Sequence, residues 1–304
     1  MRELGYRLLP GDGFSYVLHL RPREWPILAG HMLFGLLLSV AVLPVESHWL
    51  AILGGILLFV IFLNGGTLAI NSAFDGEEGD IGYLDDPPPP PRALFGFGMV
   101  LMVSGGLAAA LLLNRGYLLV YGACFVLSIL YSVPPFRWKA IAGLDLLVNA
   151  VGFGVLTPLA GWTLGSAPFE SWSLILILAF GPLFAALYPL TQIYQVEEDR
   201  ERGDRTLALL LGTGRSLQFA MLMVAIAFVL LIAGVLGRSA TATNWERAID
   251  IGLLLIPAAA WTALLLRWLR RYPTMSTTAH KNGMYRALQL WALTNIVVLA
   301  TIFS

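Results

Sequence analysis

Residues 49–71 read WLAILGGILLFVIFLNGGTLAIN and carry no charged side chain. About 20 consecutive apolar residues are enough for an α-helix to cross the hydrocarbon core of a bilayer, so this stretch predicts a membrane-spanning helix. The rest of the chain is similar, because hydrophobic residues make up 58% of the 304 residues and charged residues only 12%. A water-soluble core could not hide that much apolar surface, and the sequence therefore predicts a protein of the lipid bilayer.

Eight further apolar stretches have similar lengths, which fit helices rather than the shorter strands of a membrane barrel. With residues 49–71, the predicted spans are residues 26–44, 49–71, 93–113, 116–132, 143–164, 172–194, 213–236, 249–270 and 284–303. We expect an all-α, polytopic membrane protein with about nine transmembrane helices around a central cavity. The whole chain, residues 1–304, is expected to form one transmembrane domain.

The basic residues are distributed unevenly between the two sets of alternating loops. The N-terminus and the loops after the second, fourth, sixth and eighth spans hold 16 of the 19 Lys and Arg residues, which leaves Arg115, Arg238 and Arg247 on the other side. Cytoplasmic loops carry the excess of positive charge in membrane proteins. We therefore expect a multi-pass protein of the cell (inner) membrane, with those loops on the cytoplasmic side.

Polar side chains recur at helical spacing near the ends of two spans. The second span ends with Asn64, Thr67, Asn71 and Asp75 at relative positions 0, 3, 7 and 11. The sixth ends with Tyr188, Gln192, Gln195 and Asp199 at relative positions 0, 4, 7 and 11. Each set predicts one polar helix face, and the two Asp residues are 124 positions apart, as are Asn71 and Gln195. This suggests an internal pseudo-repeat, with a first motif at 71–80 and a second at 195–204.

Polar groups at membrane depth are costly unless they face a cavity, a partner or an ion. An Asn or Gln followed four residues later by an Asp presents oxygen atoms on one helix face, and two such faces could hold Mg²⁺ and, through it, a diphosphate. The alternative is that these carboxylates are solvated helix ends at the membrane surface. No glycine-rich phosphate loop supports a nucleotide cofactor, and nothing in the sequence predicts a nucleic-acid partner.

A basic segment, YSVPPFRWK at residues 131–139, follows the fourth span. Pro134 and Pro135 are expected to end the helix, and Arg137 and Lys139 could then point toward one anion. Positive charge on the cytoplasmic side would explain the same two residues without a ligand.

These motifs resemble those of the UbiA superfamily of intramembrane prenyltransferases along nearly the whole chain. LRPREWP at residues 20–26 is similar to the family's opening segment. Asn71 and Asp75 match its first aspartate motif, with Asp80 as the last aspartate. YSVPPFRWK resembles its basic segment, and QVEEDRERGDRTLALLLG at 195–212 resembles its second aspartate motif. Two residues depart from the commonest pattern, because Ser72 and Gln195 stand where an Asp is usual.

The resemblance implies a Mg²⁺-dependent prenyltransferase that moves an isoprenyl group from an isoprenyl diphosphate to a lipophilic acceptor, either aromatic, a quinone precursor or an isoprenoid. The implied metal ligands are Asn71, Asp75, Asp80, Gln195 and Asp199. Arg137 and Lys139 would contact the diphosphate and complete the catalytic set. The candidates for the acceptor side are Tyr131, Asn149, Tyr188 and Gln192.

Three alternatives stay open at the level of the sequence. The first is a cyclase of the same superfamily, in which the substrate's own alkene replaces the acceptor. The second is a transporter, and the third is a binding protein whose catalytic site has degenerated. The proline run at 87–91 is expected to be either a stiff strut of a lid over the diphosphate or a rigid linker. The oligomeric state is left open.

Overall fold

The structure is a computed structural model that describes residues 6–9, 11–39, 49–75, 84, 86–165, 170–203, 205–238 and 243–303, apart from the side chains of residues 198 and 202. Eleven helices have both ends within the ranges from residue 11 onward: α1 (Gly13–His19), α2 (Trp25–Leu38), α3 (Trp49–Asp75), α4 (Leu94–Leu112), α5 (Arg115–Ser132), α6 (Leu144–Thr163), α7 (Ser171–Gln192), α8 (Val196–Arg202), α9 (Leu207–Arg238), α10 (Asn244–Arg271) and α11 (Thr277–Phe303). Short 3₁₀ turns follow three of the helices, at Trp138–Ala140, Ile193–Gln195 and Tyr272–Thr274.

Eight helices of the described ranges are long and apolar enough to cross a membrane. They are α3 to α7 and α9 to α11, and they coincide with eight of the nine predicted spans. The first predicted span corresponds to the shorter apolar helix α2, Trp25–Leu38. The prediction of an all-α, polytopic membrane protein is thereby confirmed.

Two of the membrane helices contain π-helical segments, at Leu58–Gly65 in α3 and Ala150–Leu156 in α6. A π-helical turn inserts one residue into the helical register and often marks a functional region. The segment in α3 ends directly before the helical stretch Gly66–Asp75, which carries Asn71 and Asp75 of the first motif.

The chain divides into two compact units, one formed from Met1–Leu33 and Val42–Arg137 and the other from Phe34–Ala41 and Trp138–Ser304. In the first unit, buried tyrosines join helices through backbone carbonyls. The Tyr117 hydroxyl donates to the Gly55 carbonyl over 2.6 Å, and the Tyr121 hydroxyl donates to the Met102 carbonyl over 2.9 Å. These bonds attach α5 to α3 and α4.

The second unit contains α6 to α11 and the end of α2, with a core around α7. The Phe180 ring on α7 packs against Phe34 and Trp291, with ring centroids 4.7 and 6.2 Å apart. Helix α2 approaches α6 so closely that a Cβ atom added at Gly35 would lie 1.7 Å from the Pro158 carbonyl oxygen. A glycine is therefore required where these two backbones touch.

Candidate active site

In the first unit, the polar stripe of α3 faces polar side chains of α5. The Thr67 and Ser128 hydroxyls are 2.8 Å apart, and one helical turn later the Ser132 hydroxyl donates to the Asn71 amide oxygen over 3.2 Å. Ser132 is fully buried. The stripe that the sequence predicts is thus part of a hydrogen-bonded seam between two helices, and that seam fixes the amide of the first motif.

Asp75 lies at the C-terminal end of α3, one turn after Asn71, and its side chain is buried, with 8% exposed. One Asp75 carboxylate oxygen lies 4.0 Å from a guanidinium nitrogen of Arg137, whose side chain is 38% exposed. The first unit therefore brings together three of the predicted site residues. They are an amide, a carboxylate and a cation, the groups that a metal-bound anion requires. Tyr131 lies half-buried on the last turn of α5.

Asp80 lies outside the described residues, and so does much of the loop that follows Asp75. The proline run is described and is held by the N-terminal helix, because a ring nitrogen of His19, Nε2, lies 3.1 Å from the Pro88 carbonyl oxygen. His19 is almost completely buried, and burial lowers the pKa of its imidazole below the ordinary value of 6.5, aided by the positive charge of Arg21 and opposed by the bond to Pro88. A neutral His19 thus anchors the prolines to α1.

The second unit holds the second motif, and here the helix departs from the predicted single face. Helix α7 ends at Gln192, a 3₁₀ turn covers Ile193–Gln195, and Asp199 lies on the separate short helix α8. The backbone departs from regular α-helical geometry at both ends of this turn, since Gln192 has a φ of −90° and Gln195 has a φ of −107° and a ψ of 6°. The predicted alignment of Tyr188, Gln192, Gln195 and Asp199 on one continuous helix is therefore wrong.

Asp199 is buried, with 5% of its surface exposed, and one of its carboxylate oxygens accepts a hydrogen bond of 3.1 Å from the Thr206 hydroxyl. Gln195 is half-buried at the end of the 3₁₀ turn. Helix α8 ends at Arg202, and the next residue, Gly203, has a positive φ of 73° that favours glycine. Helix α9 begins at Leu207.

Lys139 of the basic segment also belongs to the second unit. It lies on the 3₁₀ turn Trp138–Ala140 and is buried, with 8% exposed. The next residue, Ala140, accepts a backbone hydrogen bond of 3.2 Å from the Arg205 N–H, and Ile141 pairs with Arg205 as a parallel bridge. The segment that carries Lys139 is therefore bonded to the loop that follows Asp199.

Three candidates for the acceptor side are buried in the second unit: Asn149, Tyr188 and Gln192. The Asn149 amide donates to the Asp145 carbonyl, and the Gln192 amide donates to the Asp145 carboxylate, each over 2.8 Å. The Gln192 amide oxygen accepts from the Ala208 N–H over 3.2 Å. Both ends of the Gln192 amide are thus used within the fold, and its role beside a substrate stays a prediction.

Three side chains with clear contacts to the motifs were missed in the sequence: Ser132, Asp145 and Thr206. An ionisable residue in a membrane span is a signal in itself, and by that criterion Asp145 was recognisable. The partners of Ser132 and Thr206 depend on which helices and loops pack together, and no spacing along the chain reveals that.

The oxygen donors within each unit are of a kind that suits a hard divalent cation. Among the residues that the structure describes, no three His, Cys, Asp or Glu side chains gather as a metal site. Mg²⁺, however, is usually held by one or two carboxylates together with substrate phosphates and water. Each unit supplies one buried carboxylate, Asp75 or Asp199, and one amide four residues before it, all with oxygen ligands of the kind that Mg²⁺ prefers.

Known proteins resemble this chain in sequence and in fold. A model of the UbiA prenyltransferase family matches residues 25–287. A lycopene elongase/hydratase from Halobacterium salinarum is 31% identical over 215 residues, which cover 68% of this chain and 74% of the relative. A 2-carboxy-1,4-naphthoquinone phytyltransferase from Synechocystis sp. is 30% identical over 152 residues, or 50% of this chain and 46% of the relative.

A solved structure of a UbiA homologue from Archaeoglobus fulgidus bound to DMAPP and Mg²⁺ superposes with a TM-score of 0.69 and 20% identity, over 93% of this chain and 99% of the other. This likeness shows a shared fold. The family match covers most of the residues and includes both motifs and the basic segment, so that the prediction of a prenyltransferase enzyme is confirmed. The chain belongs to the UbiA prenyltransferase family.

Proposed function

We propose that this protein transfers an isoprenyl group from an isoprenyl diphosphate to a lipophilic acceptor in a Mg²⁺-dependent reaction. The observation that carries the proposal is the geometry of the first motif, where the buried Asp75 lies 4.0 Å from Arg137 and one turn from Asn71. A carboxylate beside a guanidinium group suits a ligand that contains both a cation and a phosphate.

In this proposal, Asn71, Asp75, Gln195 and Asp199 bind the metal, with Asp80 as a further ligand. Mg²⁺ supplies electrostatic stabilisation of the negative charge that builds up on the departing diphosphate. Arg137 and Lys139 bind the phosphate oxygens and keep the leaving group in place. As the C1–O bond breaks, its electron pair leaves with the diphosphate. A new C–C bond forms between C1 and the acceptor, which then loses a proton to the released diphosphate.

The acceptor that we favour is an isoprenoid alkene. The relative from Halobacterium salinarum, which is named a lycopene elongase/hydratase, aligns over a larger share of this chain than the phytyltransferase does. Tyr131, Asn149, Tyr188 and Gln192 are the proposed acceptor-side residues. An aromatic or quinone-precursor acceptor would require the same diphosphate chemistry, so the choice depends on which acceptor yields a product.

The experiment uses the full chain in lipid nanodiscs with Mg²⁺ and prenyl diphosphates of about 10 to 20 carbons, whose tails are no longer than the roughly 30 Å that a 20-residue helix spans. Each is incubated without acceptor, with lycopene, and with an aromatic acceptor, and products are identified by mass spectrometry. Asp75→Asn and Asp199→Asn remove one proposed metal ligand each. Glu197→Gln is the matched control, because Glu197 lies on the same helix as Asp199 but is 80% exposed and pairs with Arg200.

An acceptor-dependent product that both Asp variants lose and the Glu197 variant retains would support the proposal. A hydrocarbon or alcohol formed without acceptor would instead identify a cyclase of the same family. The absence of any Mg²⁺-dependent turnover across all acceptors would contradict the proposed reaction.

We also propose that the motifs face the cytoplasm of the cell membrane, from the excess of Lys and Arg in the loops that carry them. Two exposed positions at opposite ends of α10, Trp245 and Arg271, allow a direct test. Single cysteines introduced there in a Cys124→Ser background are labelled in intact cells with an impermeant maleimide. Labelling at residue 245 but not at residue 271 is expected, and the reverse pattern would contradict the orientation.

A further inference from the structure

Asp145 is a completely buried carboxyl group at the start of α6, outside both motifs and the basic segment. It accepts four hydrogen bonds. One oxygen, Oδ1, accepts from the backbone N–H groups of Gly143 and Leu146 over 2.8 and 2.7 Å. The other, Oδ2, accepts from the Gln192 side-chain amide over 2.8 Å and from the Leu207 N–H over 3.2 Å.

The second pair of bonds acts on the beginning of α9. The first backbone N–H groups of a helix have no carbonyl partner within the helix and need an outside acceptor. Asp145 provides that acceptor for Leu207, and Gln192 provides it for Ala208 over 3.2 Å. Because Asp145 also holds Gln192, one carboxyl group joins the start of α6, the end of α7 and the start of α9.

The residue directly before Leu207 leads to the second motif. Thr206 is buried, and its hydroxyl donates to a carboxylate oxygen of the equally buried Asp199 over 3.1 Å. The residue before Thr206 is held as well, by the 3.2 Å bond from the Arg205 N–H to the Ala140 carbonyl. The backbone on both sides of Thr206 is therefore fixed by hydrogen bonds to other segments.

We propose that Asp145 is a positioning residue for Asp199, acting through Leu207 and Thr206. By holding the Leu207 N–H, Asp145 fixes the backbone at Thr206, and the Thr206 hydroxyl then sets the orientation of the Asp199 carboxylate toward the metal. Partners that orient a metal ligand in this way commonly change metal affinity by about 10- to 100-fold when they are removed. The inference rests on the proposed function, in which Asp199 is a metal ligand.

Asp145→Asn is the first variant. An asparagine retains one acceptor oxygen for Gly143 and Leu146, but its NH₂ group would face the donors of Gln192 and Leu207. The start of α6 would keep its bonds, while the connection to α9 would be lost. Thr206→Val removes only the hydroxyl that orients Asp199, and Thr206→Ser retains it.

The control is Thr157→Val on the same helix as Asp145. The Thr157 hydroxyl is buried and donates to the Gly152 carbonyl over 3.0 Å. Its removal is expected to lower thermal stability without reaching the second motif. A variant that acts through stability alone would resemble this control.

The probe is Mn²⁺ complexed with inorganic diphosphate, and its binding to the purified protein in nanodiscs is measured by electron paramagnetic resonance beside the melting temperature of each variant. We expect Asp145→Asn and Thr206→Val to weaken binding by about 10-fold or more. Thr206→Ser and Thr157→Val should bind as the wild-type protein does, whatever their melting temperatures.

Two results would overturn the inference, and they are distinguishable. If the wild-type protein binds the Mn²⁺ complex and both Asp145→Asn and Thr206→Val bind it equally well, Asp145 has no positioning role and the proposed function is unaffected. If the wild-type protein itself does not bind the complex, the proposed metal-dependent function fails, and the inference fails with it. If Asp145→Asn does not fold, the comparison of Thr206→Val with Thr206→Ser decides the step through Thr206. The step through Asp145 is then tested by Leu207→Pro, which removes the N–H that is bonded to Asp145. Proline is tolerated there because Leu207 is the first residue of α9.

Discussion

The Ser132 hydroxyl of α5 donates a 3.2 Å hydrogen bond to the Asn71 amide oxygen of α3, and Ser132 is fully buried. The side chain that begins the first motif is therefore held by a neighbouring helix. Because the bond occupies one side of the amide oxygen, it also limits the directions from which a cation can approach. The metal-binding geometry of the first motif thus depends on a residue outside the motif.

Ser132→Ala should test this dependence. The loss of one buried hydrogen bond is expected to lower the free energy of unfolding by about 1 kcal/mol, while the release of Asn71 should raise the Mg²⁺ concentration needed for half-maximal activity by about 10-fold. Ser128→Ala is the control, because it removes the neighbouring Thr67 contact of the same seam. Titration of activity with Mg²⁺ is the measurement, and equal effects of the two variants would contradict the expectation.

The anchor of the proline run should make stability depend on pH. Burial lowers the pKa of His19 in the folded state, so that below about pH 6.5 the unfolded chain binds the proton more readily than the folded protein does. Stability is therefore lost as the pH falls from about 6.5 toward the folded-state pKa, by at most about 1.4 kcal/mol per pH unit.

Glu24 acts in the opposite direction. Burial raises the pKa of its carboxyl group above the ordinary 4.5, with Arg21 opposing the shift, so its contribution rises as the pH falls. The His19 effect is isolated by His19→Gln, whose amide can still donate to the Pro88 carbonyl. Melting temperatures between pH 7.5 and 5.5 should fall less for this variant than for the wild-type protein, and parallel curves would argue against a neutral, buried His19.

The membrane helices could be predicted because a span needs only length and apolarity. Residues 49–71, for example, appear in the structure as most of α3. The interruption between Gln192 and Asp199 was not predicted, because the helical spacing was extended through residues 193–195, which form a 3₁₀ turn. The hydrogen bonds of Asp145, Thr206 and Ser132 join segments that are distant in the chain, so they follow from packing.

For the polar stripe of α3, the sequence predicted the helix face but not the side chains that contact it. Its spacing predicted one polar face, and the structure has that face from Thr67 to Asp75, directly after the π-helical segment Leu58–Gly65. The cost of polar groups at membrane depth suggested a ligand, but part of that cost is offset by Ser128 and Ser132. The internal pseudo-repeat stays a prediction, because the second motif begins in a 3₁₀ turn, whereas Asn71 and Asp75 of the first motif lie on an α-helix.

The contact between α2 and α6 predicts a strong effect of a small substitution. Gly35→Ala would place a methyl group 1.7 Å from the Pro158 carbonyl oxygen, so the helices must move apart, at a cost of about 1–3 kcal/mol or more. Gly30→Ala on the same helix meets no atom within 4 Å and should be neutral or stabilise the helix by up to about 1 kcal/mol. Thermal unfolding of both variants in detergent is the measurement, and similar melting temperatures would contradict this close approach.

Removal of the Lys139 charge should separate substrate binding from stability. Lys139 is 8% exposed in the segment that is bonded to Arg205, and we propose that its ammonium group binds the diphosphate. Lys139→Met keeps the length of the side chain and removes the charge. The loss of a hydrogen bond to a charged group, about 1.5–3 kcal/mol, should raise the KM for geranyl diphosphate by about 10-fold or more. The control is Arg271→Met, which removes an exposed positive charge at the end of α10 and should leave the KM for geranyl diphosphate unchanged. If both variants have the same KM, Lys139 does not bind the diphosphate and contributes only to the orientation of the protein in the membrane.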